Sequence, residues 1–165
     1  MKILGIDPGY GRMGWGVISK EGPRLRMEGL GCVETEKSAE PAGRLAMIAE
    51  EIRKIVFRYK PEVAAVESLF FFKNQTTAMR VAEARGVVLA TLAELGLGIY
   101  EYTPLQVKQT LVGYGRAEKA QVEKMVQRAF GIKERIRPDD AADALAVAIT
   151  HAARERMAGM VEAAR

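Results

Sequence analysis

Apolar and polar positions alternate between two periods along this chain. Lys2-Ile3-Leu4-Gly5-Ile6 is a short apolar run closed by Asp7 and stopped by Pro8-Gly9, and it predicts a buried strand. Gly14-Trp15-Gly16-Val17-Ile18 predicts a second strand, so Met1–Ser19 reads as a hairpin with Asp7 at its mouth. Glu21-Gly22-Pro23 is a turn, and Leu25–Glu34 predicts a third strand antiparallel to the second. Leu45, Ile48, Ile52, Ile55, Val56 and Tyr59 recur at mostly three- and four-residue steps, which predicts an amphipathic helix over Pro41–Tyr59 that Pro61 ends. Val63-Ala64-Ala65-Val66 is a short apolar strand that ends, like the first, on a carboxylate, Glu67.

Beyond an aromatic loop at Phe70–Lys73, Asn74–Leu95 predicts a long helix rich in small residues (Ala78, Ala82, Ala84, Gly86, Ala90). Gly96 and Gly98 end it, and Ile99–Tyr102 predicts a further strand. Helices follow at Pro104–Val112, at Ala117–Phe130 and from Asp139 to about Met157, with Ala158–Arg165 expected to fray as a tail. No repeat and no linker divides residues 1–157, which read as a single domain. Three strands in a meander, then alternating helices and strands, give an α/β fold with a mixed sheet. A helical crossover lets the Val63 strand lie parallel to the Lys2 strand. As neighbours, those two strands bring Asp7 and Glu67 to one sheet edge, where open α/β sheets hold ligands.

Composition narrows the chemistry. The chain has 165 residues, 48% hydrophobic and 28% charged, which suits one soluble domain with one sizeable core. No apolar run is long enough to span a membrane, and no signal-peptide pattern opens the chain, so a cytoplasmic protein is expected. One Cys and one His rule out an internal disulfide and argue against a zinc site of the usual kind. A metal here would sit on carboxylates, which favours Mg²⁺ or Mn²⁺. The net charge is +4, and Leu105–Arg137 carries eight Lys/Arg against three acids, so the whole excess lies in that stretch. Such a basic segment points to a polyanion partner, against the plainer reading of a solvated face.

Asp140 and Asp143, three apart in DDAADALAVAIT, share one face of a helix. Acids near a helix N-terminus also serve as caps, a role that suits Asp139, but one cap does not need three acids. Asp7, Glu67, Asp140 and Asp143 brought together would repel one another unless divalent cations neutralised them. Two such ions about 4 Å apart suit in-line attack on a phosphodiester. His151 lies eleven residues past Asp140, about 16 Å along a helix, too far to share those ions. Trp15 reads as core and Cys32 as a small strand residue.

GIDPG with Asp7, AAVES with Glu67, the loop FFFKN, the run PLQVKQTLVGYGRAEKAQV and DDAADALAVAITH together resemble the RuvC family of Holliday junction resolvases, from Met1 to about His151. The resemblance implies a ribonuclease-H-like fold with a five-stranded mixed sheet flanked by helices. It implies a homodimer that resolves four-way DNA junctions by two symmetric nicks, working with the RuvA–RuvB branch-migration complex. The family's Mg²⁺-binding acids match Asp7, Glu67, Asp140 and Asp143; some members carry His at the last. Its DNA-engaging lysines match Lys108 and Lys119, and the aromatic that stacks on an unpaired base matches Phe70. Arg116, in the same basic run, is a further DNA-contact candidate. It also implies a bacterial, nucleoid-associated setting.

The residues support this independently at several points. Lys119 falls in the first turn of its helix, where the dipole disfavours a cation, so a phosphate explains it better than an i,i+4 pair with Glu123. Three consecutive Phe cannot all face inward from one strand, and an exposed ring is useful where bases unstack. The small-residue helix is the candidate dimer face. Gly9-x-Gly11-x-x-Gly14 copies the dinucleotide fingerprint, but a strand follows it where that motif needs a helix. The rival readings are a junction-binding module without catalysis and an actin-like nucleotide-binding protein; the latter needs a second lobe for which this chain has little room.

Overall fold

The computed structural model describes residues 1–68 and 75–163, with side chains at all of these except 75–77 and 156–163. Phe70, Phe71 and Phe72 therefore lie outside the described residues. Five strands form one mixed sheet: β1 (Lys2–Asp7), β2 (Arg12–Glu21), β3 (Arg24–Glu34), β4 (Val63–Glu67) and β5 (Gly98–Tyr102), in the order β3-β2-β1-β4-β5. β1, β2 and β3 form an antiparallel meander, while β4 lies parallel to β1 and β5 parallel to β4. The helices are α1 (Pro41–Tyr59), α2 (Gln75–Glu94), α3 (Pro104–Val112), α4 (Lys119–Phe130) and α5 (Asp139–Ala163).

Strand alternation sorts the core into two layers. Leu4, Ile6, Ala64 and Val66 face α1 and α2, where they pack with Ile48, Ile52, Val88 and Leu92. Ile3 and Ala65 face the other way, onto Leu145, Ala148, Ile149 and Ala152 of α5. Fully buried on both faces, β1 and β4 read as unbroken apolar runs rather than alternating ones.

Several boundaries differ from the sequence expectation, most by one residue and some by more. β2 begins at Arg12 rather than Gly14, because β3 pairs with it from Arg12↔Glu34 to Glu21↔Arg24, with one register shift between Val17 and Ile18, and the polar ends are held by the ladder. α4 begins at Lys119 rather than Ala117: the Glu118 N–H donates to the Gln121 side chain at 2.8 Å, and Ala117 is buried ahead of the helix. α5 continues to Ala163, past the Met157 boundary and into the expected tail, where Ala, Met and Glu outweigh the weaker helix formers Gly159 and Val161. Trp15 is half-buried at the rim of the α1 layer, 5.6 Å from the Tyr59 ring, rather than fully in the core.

Candidate active site

Parity along the strands fixes the first two acids. Gly5 pairs with Ala65, both on the α5 side of the sheet, so two residues further on Asp7 and Glu67 share that side at adjacent strand ends. The row continues in both directions, to Tyr102 opposite Glu67 and to Gly14 opposite Asp7. Gly14 then places α5: a Cβ there would fall 2.0 Å from the Asp140 carbonyl oxygen. Gly5 makes an equally close approach to the Ala144 carbonyl oxygen, at 2.0 Å. With two strands stripped of side chains, the first turns of α5 lie directly on the sheet beside the mouth, carrying Asp140 and Asp143.

The electrostatics record how crowded the acids are. Burial, followed by the charge of Asp143, pushes the Asp7 carboxyl up to about 6. Burial, then the neighbouring Asp7 charge, pushes Glu67 up to about 8. Burial and neighbouring negative charge therefore favour a proton on the pair near neutral pH. Burial also raises Asp143, against the opposing pull of Lys119.

Two cations temper the cluster. Lys119 Nζ donates to Asp143 Oδ2 at 2.7 Å, and the i,i+4 pair with Glu123 does not form, since Glu123 is taken by Arg135 at 2.7 Å. Burial works against the Lys119 ammonium, but Asp143 outweighs it and holds its pKa above the ordinary lysine value. Arg12 Nε donates to Asp140 Oδ2 at 2.9 Å, a contact that no spacing in the sequence points to. As placed, no three His, Cys, Asp or Glu side chains among the described residues stand close enough together to share one ion. The donor chemistry nevertheless fits a hard divalent ion: four carboxylates from three elements, two of them raised by burial and neighbouring acids.

Beside the acids opens a cleft of about 230 Å³, lined by Glu67, Lys108, Lys119 and Asp143 over an apolar floor that includes Pro104 and Val107. Thr103 caps α3, accepting from the Gln106 N–H at 3.1 Å, and so sets the helix that carries Lys108 to this cleft. Lys108 makes no ion pair among the described residues, nor does Arg116, which is exposed in the turn before α4. His151 sits away from the acids, 4% exposed, with Nδ1 2.7 Å from the Tyr102 hydroxyl. Cys32 shares the row of Asp7 and Gly14, and burial and the Asp140 charge raise its thiol. Asp139 is paired outward, 3.3 Å from Arg137 and 3.5 Å from Arg135.

A five-stranded mixed sheet of this order, with acids at the mouth of its two central parallel strands, is the ribonuclease-H-like arrangement. The family model for crossover junction endodeoxyribonuclease RuvC matches residues 3–151, and the chain belongs to that family. The crossover junction endodeoxyribonuclease RuvC of Petrotoga mobilis is 49% identical over 151 residues, 92% of this chain and 93% of that protein. Thermus thermophilus RuvC, solved in complex with Holliday junction substrate, superposes with a TM-score of 0.90 at 39% identity over 96% of each chain. The yeast mitochondrial Holliday junction resolvase Ydc2 shares the fold at 14% identity, with a TM-score of 0.67 over 90% of this chain and 76% of its own. Among the described residues no helix is long and apolar enough to cross a membrane.

Proposed function

We propose that this chain resolves four-way DNA junctions by paired nicks, with Asp7, Glu67, Asp140 and Asp143 as the catalytic acids and Mg²⁺ as the ion they hold, Mn²⁺ substituting. The observation that carries the reading is the meeting of three elements, the ends of β1 and β4 and the start of α5, each delivering acids to one mouth beside a lysine-lined cleft. Ions bound there supply an activated water and neutralise charge on the leaving oxygen. The chain's own part is to bind and orient. Lys108 and Lys119 receive backbone phosphates, Arg116 adds a contact at the rim, and Phe70 is assigned the stacking role on the strength of the resemblance.

A homodimer matches the near-two-fold symmetry of a junction. α2 offers the surface: Ala84, Val88 and Leu92 are buried against the sheet, while Ala82, Gly86, Ala90 and the 68%-exposed Met79 face outward. Association with a RuvA–RuvB branch-migration complex, and work at the nucleoid in a bacterial cytoplasm, complete the proposal.

Incubation with a synthetic mobile junction, with Mg²⁺ or with EDTA, beside Asp7→Asn and a linear duplex, tests it. Paired, ligatable nicks on the junction alone, absent with EDTA and in the variant, are expected. Binding without cutting under every metal would leave a junction-binding module. Equal binding to junction and duplex would leave only the fold, and ATP binding would then be the next test.

A further inference from the structure

Arg12 holds two carboxylates at once. Its Nε donates to Asp140 at 2.9 Å, and its NH1 lies 3.3 Å from Glu34, the residue opposite it on β3. The backbone beneath it is fixed. A Cβ on Gly9 would fall 2.0 Å from the Arg12 carbonyl oxygen, and Thr35 ties down the preceding turn, donating from Oγ1 to the Tyr10 carbonyl at 2.8 Å and from its N–H to the Gly11 carbonyl at 3.0 Å. Only the side chain is free to move, and it is 49% exposed.

An arginine does not lose its proton, so Asp140 is freed only when the guanidinium moves away. Glu34 already stands within reach, which lets Arg12 leave Asp140 without losing an ionic partner. Lys119 differs, since Asp143 is its one carboxylate partner among the described residues. We propose that Arg12 is the resident counter-ion of Asp140, competing with the divalent ion for that carboxylate, and that Glu34 is the acceptor to which its guanidinium transfers when the ion binds. The inference rests on reading the acids as ion ligands. It makes Arg12 a positioning residue that sets the ion affinity of the DNA-free protein, and so guards Asp140 until the site is loaded.

The test is Mn²⁺ binding without DNA, read as free Mn²⁺ by electron paramagnetic resonance, for the wild type, Arg12→Gln, Glu34→Gln and the double variant, with melting curves as the folding control. Half-exposed ion pairs are weak, so the expected changes are modest. Arg12→Gln binds Mn²⁺ about two- to fivefold more tightly. Glu34→Gln binds it about twofold more weakly, because Asp140 becomes Arg12's sole partner. In the Arg12→Gln background Glu34→Gln has no effect. Unchanged or weaker binding in Arg12→Gln overturns the proposal. So does an equal Glu34→Gln effect in both backgrounds, which is a plain charge effect. If Arg12→Gln does not fold, Arg12→Lys gives the same comparison: one ammonium holds two carboxylates poorly, and Mn²⁺ again binds more tightly than in the wild type. No binding by any of the four proteins sinks the reading of the acids as an ion site, and this inference with it.

Discussion

Lys119 opens α4 and reaches across to Asp143 on α5, Nζ to Oδ2 at 2.7 Å, bridging two helices 24 positions apart in the chain. The contact sets a cation beside the acids, and it leaves Asp143 less easily protonated than burial alone would make it.

Lys119→Met is expected to cut junction cleavage about 10- to 100-fold, the worth of a charged hydrogen bond of about 1.5–3 kcal/mol. Two further readouts separate this from simple misfolding. The Asp143 carboxyl, followed by carbon NMR, should titrate at higher pH than in the wild type. The salt dependence of junction binding should fall by about one phosphate contact. An unchanged salt slope with wild-type cleavage would return Lys119 to a solvated face.

Asp7 and Glu67 set a second expectation. Both carboxyls are raised in the folded protein, Asp7 to about 6 by burial and the charge of Asp143, and Glu67 to about 8 by burial and the charge of Asp7. A raised carboxyl stabilises the fold at acid pH and loses that contribution as pH climbs from the unfolded value to the folded one. The ion-free protein should therefore lose stability between about pH 4 and pH 8 from this pair. Glu67→Gln should remove most of the loss, melting higher than the wild type at pH 8 by about 1–2 kcal/mol while abolishing cleavage. Mg²⁺ should stabilise the wild type at pH 8 with release of a proton, seen as buffer-dependent heat in calorimetry. A flat pH profile without Mg²⁺ would show that the two carboxyls are not crowded.

Much of this arrangement was legible in the chain, because its signals are local. The apolar runs ending in Asp7 and Glu67, the crossover helix between them and the three-residue step from Asp140 to Asp143 each need only a few residues to recognise. What escaped depends on contacts between elements. Arg12 meets Asp140 across 128 positions, and nothing near Arg12 distinguishes it from a surface arginine. The start of β2 could not be read from its polar residues, since β3 and not its own pattern holds Arg12 in the ladder. In the sequence Gly14 reads as the start of a strand and as part of a false dinucleotide fingerprint, whereas its work in the fold is to let α5 touch the sheet.

Gly14→Ala tests that last point. The added Cβ would overlap the Asp140 carbonyl oxygen and approach its carbon to 2.4 Å, both backbone atoms of α5 that cannot swing aside. The helix must lift at the end that carries the acids. A cost of about 1–3 kcal/mol is expected from the overpacking, together with a loss of cleavage well beyond what the stability change accounts for. Gly22→Ala makes the contrast: nothing lies near its Cβ, so its cost comes from the left-handed turn at φ +58° and cleavage should be kept.

Asp139 and Asp140 are adjacent but differently placed, and amide variants should part them. Asp139 faces Arg135 and Arg137 in exposed pairs of the kind worth about 1 kcal/mol or less. Asp139→Asn is expected to cleave junctions within about threefold of the wild type. Asp140→Asn is expected to be inactive at equal folded protein. Equal loss in both would mean that the start of α5, rather than one carboxylate, is what the reaction requires.

His151 and Tyr102 give a stability prediction remote from the acids. The pair is buried between β5 and α5, Nδ1 to hydroxyl 2.7 Å, with the Tyr100 ring 4.3 Å from the imidazole. Burial lowers the His151 pKa, so the folded protein holds the ring neutral. Its contribution is present above the unfolded histidine value of about 6.5 and is lost as pH falls below it, opposite in sign to the Asp7–Glu67 pair. His151→Ala should cost about 2–4 kcal/mol at pH 7, from the cavity and the orphaned hydroxyl, and Tyr102→Phe about 1 kcal/mol. The acid-side loss is best read in the Glu67→Gln background, where the opposing carboxyl effect is reduced. There, adding His151→Phe should flatten the melting temperature between pH 5 and pH 7. Persistence of the full slope would mean that the imidazole is not the group titrating.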